Sequence, residues 1–228
     1  MSFWRPKSRR EKALATAPEG PLREFLSHEW PSRATPVGDL RLLALDIETT
    51  GLDPAKDEIL SVGFVPVDGT TIRLSGAEHI LVRPNGKSGV GDSAVLHGLT
   101  DDVVNGGESE EYAITRVLEA LSGRLMLVHF AMIETRFLSV ACERAFGHPL
   151  PLYALDTLEL QRRLVSAESL TGDIPQGALR LWAARERYGL PLYPAHDALV
   201  DALACAELFL GQTAELGEKK SLLLKHLV

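Results

Sequence analysis

The segment RLLALDIE, Arg41 to Glu48, constrains the fold more than any other stretch of the chain. Its apolar residues are consecutive rather than alternate, the pattern of a strand buried on both faces. Such a strand needs a packed layer on each side, so helices must cover both faces of its sheet. EILSVGFVPV (Glu58 to Val67) and TIRLSGAEHILV (Thr71 to Val82) read as two more strands. Asp68-Gly69-Thr70 between them carries the Asp-Gly hairpin signature. A looser stretch follows, containing LHGLTDDVV (Leu96 to Val104).

Beyond it, helix and strand patterns alternate. EEYAITRVLEALSG predicts a helix ending at Gly123, RLMLVHF a strand, Met132 to Phe146 a helix, and LYALD a short strand. Asp156 or Thr157 then opens a helix, with Glu159 placed for a capping box. GALRLWAARERYG predicts a helix ending at Gly189, HDALVDALACAELFLG one ending at Gly211, and a last helical stretch runs towards Val228. Antiparallel strands first and alternating helices and strands afterwards predict an α/β fold: a mixed sheet flanked by helices.

Residues 1–39 read differently. Arg5, Lys7, Arg9, Arg10 and Lys12 form a local basic cluster, and Pro6, Pro18, Pro21, Pro31 and Pro36 interrupt the segment. PLREFLSHEW is compatible with one short helix, with Pro21 at its first position. The segment is expected to be an arm packed partly on a domain spanning 40–228. Its basic cluster reads as a solvated tail or as a contact to a phosphate backbone.

The bulk numbers bound the function. A chain of 228 residues suits one good-sized domain. Its net charge of −7 argues against a general nucleic-acid coat protein, which would be basic, but not against an enzyme with cations in an acidic site. No apolar run approaches the roughly 20 residues that span a bilayer. The basic N-terminus lacks the apolar core of a secretory signal. Cys142 and Cys205 lie in helix-like apolar stretches and read as core residues in a reducing compartment, which implies a cytoplasmic location.

Asp46 and Glu48 end the buried strand. Two residues apart on a strand, they share one face. Carboxylates this close repel, so either one is protonated or a cation lies between them. Two exposed acids closing into a turn are the plain alternative. Thr49-Thr50-Gly51 follows at once and offers a sharp turn with free hydroxyl and N–H groups. Glu134 begins a helix whose apolar stripe includes Phe137, Leu138 and Ala141, so it lies on or beside that stripe. An acid in a first turn is also favoured by the helix dipole alone.

Asp201 sits in a helix that is apolar nearly all round, with Leu199, Ala202, Leu203, Ala206 and Leu210 as the expected stripe. A buried acid there needs a partner. His196 precedes it by five residues. It can lean over the same site only from just outside the first turn. Four carboxylates and a histidine from three separated elements meet the needs of a site with two divalent cations. Oxygen ligands suit Mg²⁺ or Mn²⁺ better than zinc. The histidine titrates in the range suited to a general base near neutral pH.

These residues resemble the DnaQ-like 3′–5′ exonucleases of the DEDDh type, which have a ribonuclease H-like fold. LDIETTGL matches the first motif, Asp-x-Glu-Thr-Thr-Gly, and HDALVDALACAEL the third, His-x-Ala-x-x-Asp-Ala. VHFAMIETRFL is similar to the second, usually His-Asn-Ala-x-Phe-Asp, and LHGLT to a His-Gly-Ile-Thr element. The likeness covers about Arg41 to Gly211. It implies that Asp46, Glu48, Glu134 and Asp201 hold two Mg²⁺ or Mn²⁺ ions, with His196 as general base. It implies that Thr49, Thr50, Gly51 and Leu52 hold the terminal nucleotide, with His97 as a further contact.

The implied activity is metal-dependent removal of nucleoside monophosphates from the 3′ ends of single-stranded DNA or RNA. Two alternatives stand beside it: a catalytically weakened nucleic-acid-binding homologue, and a polymerase-associated proofreading subunit. Two departures bear on these. Glu134 stands where the motif usually carries Asp, one methylene shorter, and Phe130 replaces its Asn. About 27 residues follow Asp201, less than the long polymerase-binding tail of many proofreading subunits, so a stand-alone enzyme, or one with a different polymerase or repair partner, is expected.

Overall fold

The computed structural model describes residues 6–84, 104–168, 173–217 and 221–228. LHGLT and His97 lie outside these described residues.

The consecutive apolar run forms strand β1 (Arg41–Thr49), buried along almost its whole length. Strand β2 (Ile59–Asp68) pairs with it antiparallel, from Arg41 opposite Asp68 to Thr49 opposite Ile59. Gly69-Thr70 turns the chain into β3 (Thr71–Ile72), and Gly69 takes the left-handed φ of 59° that this hairpin turn requires. The single strand expected over Thr71 to Val82 is two. β3 pairs near Val67, a helical turn covers Leu74–Gly76, and β4 (Glu78–Leu81) pairs with Ser61 to Phe64 further along β2. Pro66 lies between these two pairings. It has no N–H to give a ladder, and it packs where a Cβ on Gly76 would come within 2.8 Å of its ring.

Strands β5 (Leu125–Val128) and β6 (Ala154–Asp156) extend the other edge in parallel, giving the order β3-β2-β1-β5-β6, with β4 also on β2. The two faces of β1 carry two cores. Leu43, Leu45 and Ile47 pack under α1 (Pro6–Thr16), α2 (Pro21–Ser27), α3 (Glu110–Leu121) and α4 (Met132–Phe146). Leu42 and Ala44 face α5 (Thr157–Glu168) and α7 (Ala198–Gly217). The short α6 (Leu181–Glu186) packs on α7.

Three further expectations change. The basic cluster of the N-terminal segment is not wholly solvated: α1 forms there, and Arg10 is buried, donating to the Leu26 and His28 carbonyls. Helix α7 runs past Gly211 to Gly217: Gly211 is a close contact rather than a helix stop, since a Cβ there would lie 3.0 Å from the Tyr188 ring. The expected last helix is instead an extended segment ending in a single turn at Leu224–His226. It lies alongside the linker before β1: Val37 N–H donates to Leu222 O, Leu224 N–H to Thr35 O, and Lys225 N–H to Arg33 O.

Cys142 and Cys205 are both free and buried. Among the described residues no helix is long and apolar enough to cross a membrane.

Candidate active site

Alternation along β1 puts Asp46 and Glu48 on the face that carries Leu42 and Ala44, the face covered by α7. Their cross-strand partners are the small residues Gly63 and Ser61. Gly63 has no side chain because none fits: a Cβ there would lie 2.1 Å from the Leu199 nitrogen and 2.4 Å from the Ala198 oxygen. The first turn of α7 therefore sits directly on β2, beside Asp46. A bulge between Glu48 and Thr49 then ends the regular ladder and re-aims the chain.

The turn beyond is a built structure. Thr49 Oγ1 donates to Gly51 O at 2.6 Å, and Thr50 Oγ1 donates to Asp57 Oδ1 and accepts from the Glu58 N–H. Gly51 leaves room for the Asp57 carboxylate, which a Cβ there would meet at 2.5 Å. Leu52 at the tip is 76% exposed.

Helix α7 delivers Asp201. The face against the sheet is not the leucine stripe: Leu199, Leu203 and Leu210 are half-buried, while Ala198, Ala202, Cys205, Ala206 and Phe209 are buried. Small side chains let the helix approach closely and carry Asp201, one turn ahead of Cys205, down to β1. Asp197 caps the helix, accepting from the Leu199 and Val200 N–H groups at 3.0 Å each. His196 stands just outside it in the left-handed region (φ 69°), with an exposed ring, and its N–H donates to Asp201 Oδ2 at 2.8 Å. The loop leading to it is tied down by Arg185. That buried guanidinium donates to Ala204 O, Pro191 O and Glu207 Oε2, while Tyr193 donates to Glu207 Oε1.

Glu134 is buried in the first turn of α4, and its Oε2 has no hydrogen-bond partner. The turn before it is held by Asp156 at the end of β6. Both Asp156 oxygens accept, from the Phe130 and Ala131 N–H groups at 3.0 Å each, and Oδ1 also accepts from Leu158 N–H at 2.9 Å. His129 bridges Thr157 Oγ1 and Leu179 O, both at 2.9 Å.

The acids converge. Ligand oxygens of Asp46, Glu48 and Asp201 all lie within 4.8 Å of one another. Glu134 is not in that tight group, yet its charge is the strongest on Asp46. Burial holds Asp46 well above the usual carboxylate range, reinforced by Glu134, Glu48, Asp201 and Asp197. Burial, then Asp201 and Asp197, pushes Glu48 to about 8. Burial pushes Glu134 to about 8, against the pull of its own backbone N–H. Asp201 is also raised by burial, with the His196 N–H opposing. Four acids that resist ionising, one with an orphaned buried oxygen, fit divalent cations: a cation supplies the missing charge and the missing partner.

His97 lies outside the described residues; the other sequence-predicted residues sit at this one edge of the sheet, at the ends of β1, β5 and the entry to α7. Asp156, expected at the start of α5, caps that helix through the Leu158 N–H, but its grip on the turn before α4 was not foreseen, and Gly63, Asp57 and Asp197 were passed over. Gly63 inside an apolar strand was the legible signal, since an isolated glycine there marks a close backbone approach. Asp197 before an alanine-rich helix is an N-cap signature.

Known proteins carry the same frame. The sequence profile of the RNase_T family, described as Exonuclease, matches residues 43–209, a span that includes all four acids and His196. The chain is 30% identical over 173 residues to a PolC-type DNA polymerase III of Thermotoga maritima, covering 76% of this chain and 12% of that protein. It is 26% identical over 168 residues to the DNA polymerase III subunit epsilon of Treponema pallidum, covering 73% of each. The zinc-bound E. coli ExoI–ssDNA complex shares the fold with a TM-score of 0.68 at 17% identity, over 79% of this chain and 42% of that one. The chain thus spans only about an eighth of the PolC-type relatives it matches. With a profile match that runs from β1 through most of α7, the chain belongs to the RNase_T exonuclease family.

Proposed function

We propose that this protein is a metal-dependent 3′–5′ exonuclease that releases nucleoside monophosphates from single-stranded nucleic acid. The observation that carries the reading is the convergence of Asp46, Glu48 and Asp201 within 4.8 Å, beside the unpartnered buried oxygen of Glu134. Asp46, Glu48, Glu134 and Asp201 would hold two ions, Mg²⁺ or Mn²⁺. When bound, such a pair of cations activates water and stabilises the attacking and leaving oxygens of a phosphodiester displacement.

The chain's own residues do the rest. His196, exposed at the mouth of the site, accepts the proton of the attacking water through its ring. Its N–H holds Asp201 in place at the same time. The turn Thr49-Thr50-Gly51-Leu52 grips the terminal nucleotide, with the Thr49 hydroxyl fixed by Gly51 O and the Thr50 hydroxyl and the following Asp53 N–H fixed by Asp57. DNA is the substrate class suggested by similar proteins, which are DNA polymerase III chains and an exonuclease bound to single-stranded DNA. Those same polymerase names support a polymerase partner. Residues 1–39 form an arm on an exonuclease domain spanning 40–228.

The test is degradation of matched single-stranded DNA and RNA oligonucleotides, labelled at the 5′ end, in Mg²⁺ and then in Mn²⁺. The expected result is stepwise shortening from the 3′ end, slowed about 10²–10⁴-fold in His196→Ala. Tight oligonucleotide binding with no product in either ion would make the protein a silent binding module instead.

A further inference from the structure

Among the described residues, two that are not glycine adopt a left-handed backbone: Phe130 at φ 84° and His196 at φ 69°. They stand at the entries to the two helices that deliver Glu134 and Asp201. Strain of this kind persists only where the surroundings enforce it, and it concentrates at working sites. His196 already has a role there. Phe130 has none, although a bulky aromatic is among the residues least suited to this conformation.

The enforcement is visible. Asp156 grips the Phe130 and Ala131 N–H groups with its two oxygens, fixing the turn between β5 and α4. Glycine or asparagine would take this backbone with less strain. The ring is not there to fill the core, since Phe130 is 41% exposed. β5 is the parallel neighbour of β1, so Phe130 follows one strand end while Leu52, 76% exposed, follows the other. Two large apolar side chains thus rim the edge at which the acids gather.

We infer that Phe130 is a stacking platform for the base of the substrate's 3′-terminal nucleotide. This rests on the exonuclease reading. A nucleobase offers an apolar π face to an aromatic ring, and such stacking tolerates any base. The acids and cations handle the phosphate, and the ring orients the base. Asp156 acts through Phe130 as its positioning residue.

The test uses a single-stranded oligonucleotide with 2-aminopurine at its 3′ end, titrated with the full chain in Ca²⁺ and followed by fluorescence. Turnover of the same oligonucleotide in Mg²⁺ is measured in parallel. The wild type and Phe130→Trp are expected to quench the fluorescence. Phe130→Gly and Phe130→Asn are expected to bind about tenfold more weakly with little quenching. Their melting temperatures should match or exceed the wild type, because strain is relieved. No quenching by the wild type, or equal quenching by Phe130→Gly, overturns the inference. Intact oligonucleotide in Mg²⁺ with normal quenching overturns the exonuclease reading and leaves the stacking role standing.

Discussion

Gly63 faces Asp46 across the β1–β2 ladder, and the space its side chain would occupy is filled by the backbone of Ala198 and Leu199. This contact sets how closely Asp201 can approach Asp46. Gly63→Ala should therefore push α7 away from the sheet. The expected cost is about 2 kcal/mol, lowering the melting temperature by roughly 4–8 °C. Affinity for Mn²⁺, read by calorimetry, should fall as the three carboxylates separate. An unchanged melting curve would mean that α7 is not seated on Gly63.

Glu134→Gln removes a buried acid whose ionised form acts against Asp46 and would hold a cation. Turnover should fall about 100-fold or more. The metal-free protein should melt no lower than the wild type, because a neutral amide replaces a carboxyl that burial already keeps from ionising. Near-normal turnover would remove Glu134 from the site.

The raised carboxyls make the metal-free protein sensitive to pH. Glu48 and Glu134 titrate near 8 in the folded chain, from ordinary values of 4.5. Between those values the folded state holds protons that the unfolded state has lost, so stability falls as pH rises. Melting temperatures in a chelator should drop steadily from pH 5 to pH 8. Saturating Mn²⁺ should flatten that slope, and cation binding at pH 7 should release protons, measurable in buffers of different ionisation enthalpy. A flat profile in chelator would contradict the burial of these acids.

Much of this was legible in advance, and the failures have a common cause. Asp46, Glu48 and the Met132–Phe146 helix follow from periodicity, because each side chain's neighbours lie along its own element. The face of α7 was misjudged because leucines mark burial in general, whereas close approach to a sheet selects alanine and cysteine. The second role of Asp156 and the role of Asp57 were invisible for a related reason: Asp156 grips the Phe130 and Ala131 N–H groups and Asp57 the Asp53 N–H, in turns that periodicity does not describe. What sequence reading missed was contact between elements at backbone distance.

Asp156→Ala would leave the Phe130, Ala131 and Leu158 N–H groups without their acceptor. The expected loss is about 2–3 kcal/mol. Asp156→Asn keeps one acceptor oxygen and should lose less. In both, kcat should fall as the turn ahead of Glu134 loosens, which single-turnover kinetics would register.

Arg185 holds the His196 loop from beneath. Arg185→Ala removes the charged partner of Glu207 and the donor to two carbonyls and should cost about 3–5 kcal/mol. Tyr193→Phe removes one hydrogen bond from the same carboxylate and should cost about 1 kcal/mol. Chemical denaturation of the two variants ranks them, and equal losses would mean that Arg185 does not anchor the loop.

The linker before β1 and the segment after α7 run side by side, joined at Val37–Leu222, Leu224–Thr35 and Lys225–Arg33. The chain therefore enters β1 and leaves α7 at one place, at the opposite ends of these elements from Asp46, Glu48 and Asp201. The strand that carries two of the acids and the helix that carries a third are thus tied to each other at both ends. A change at this far seam can therefore loosen the site without touching any of the four acids.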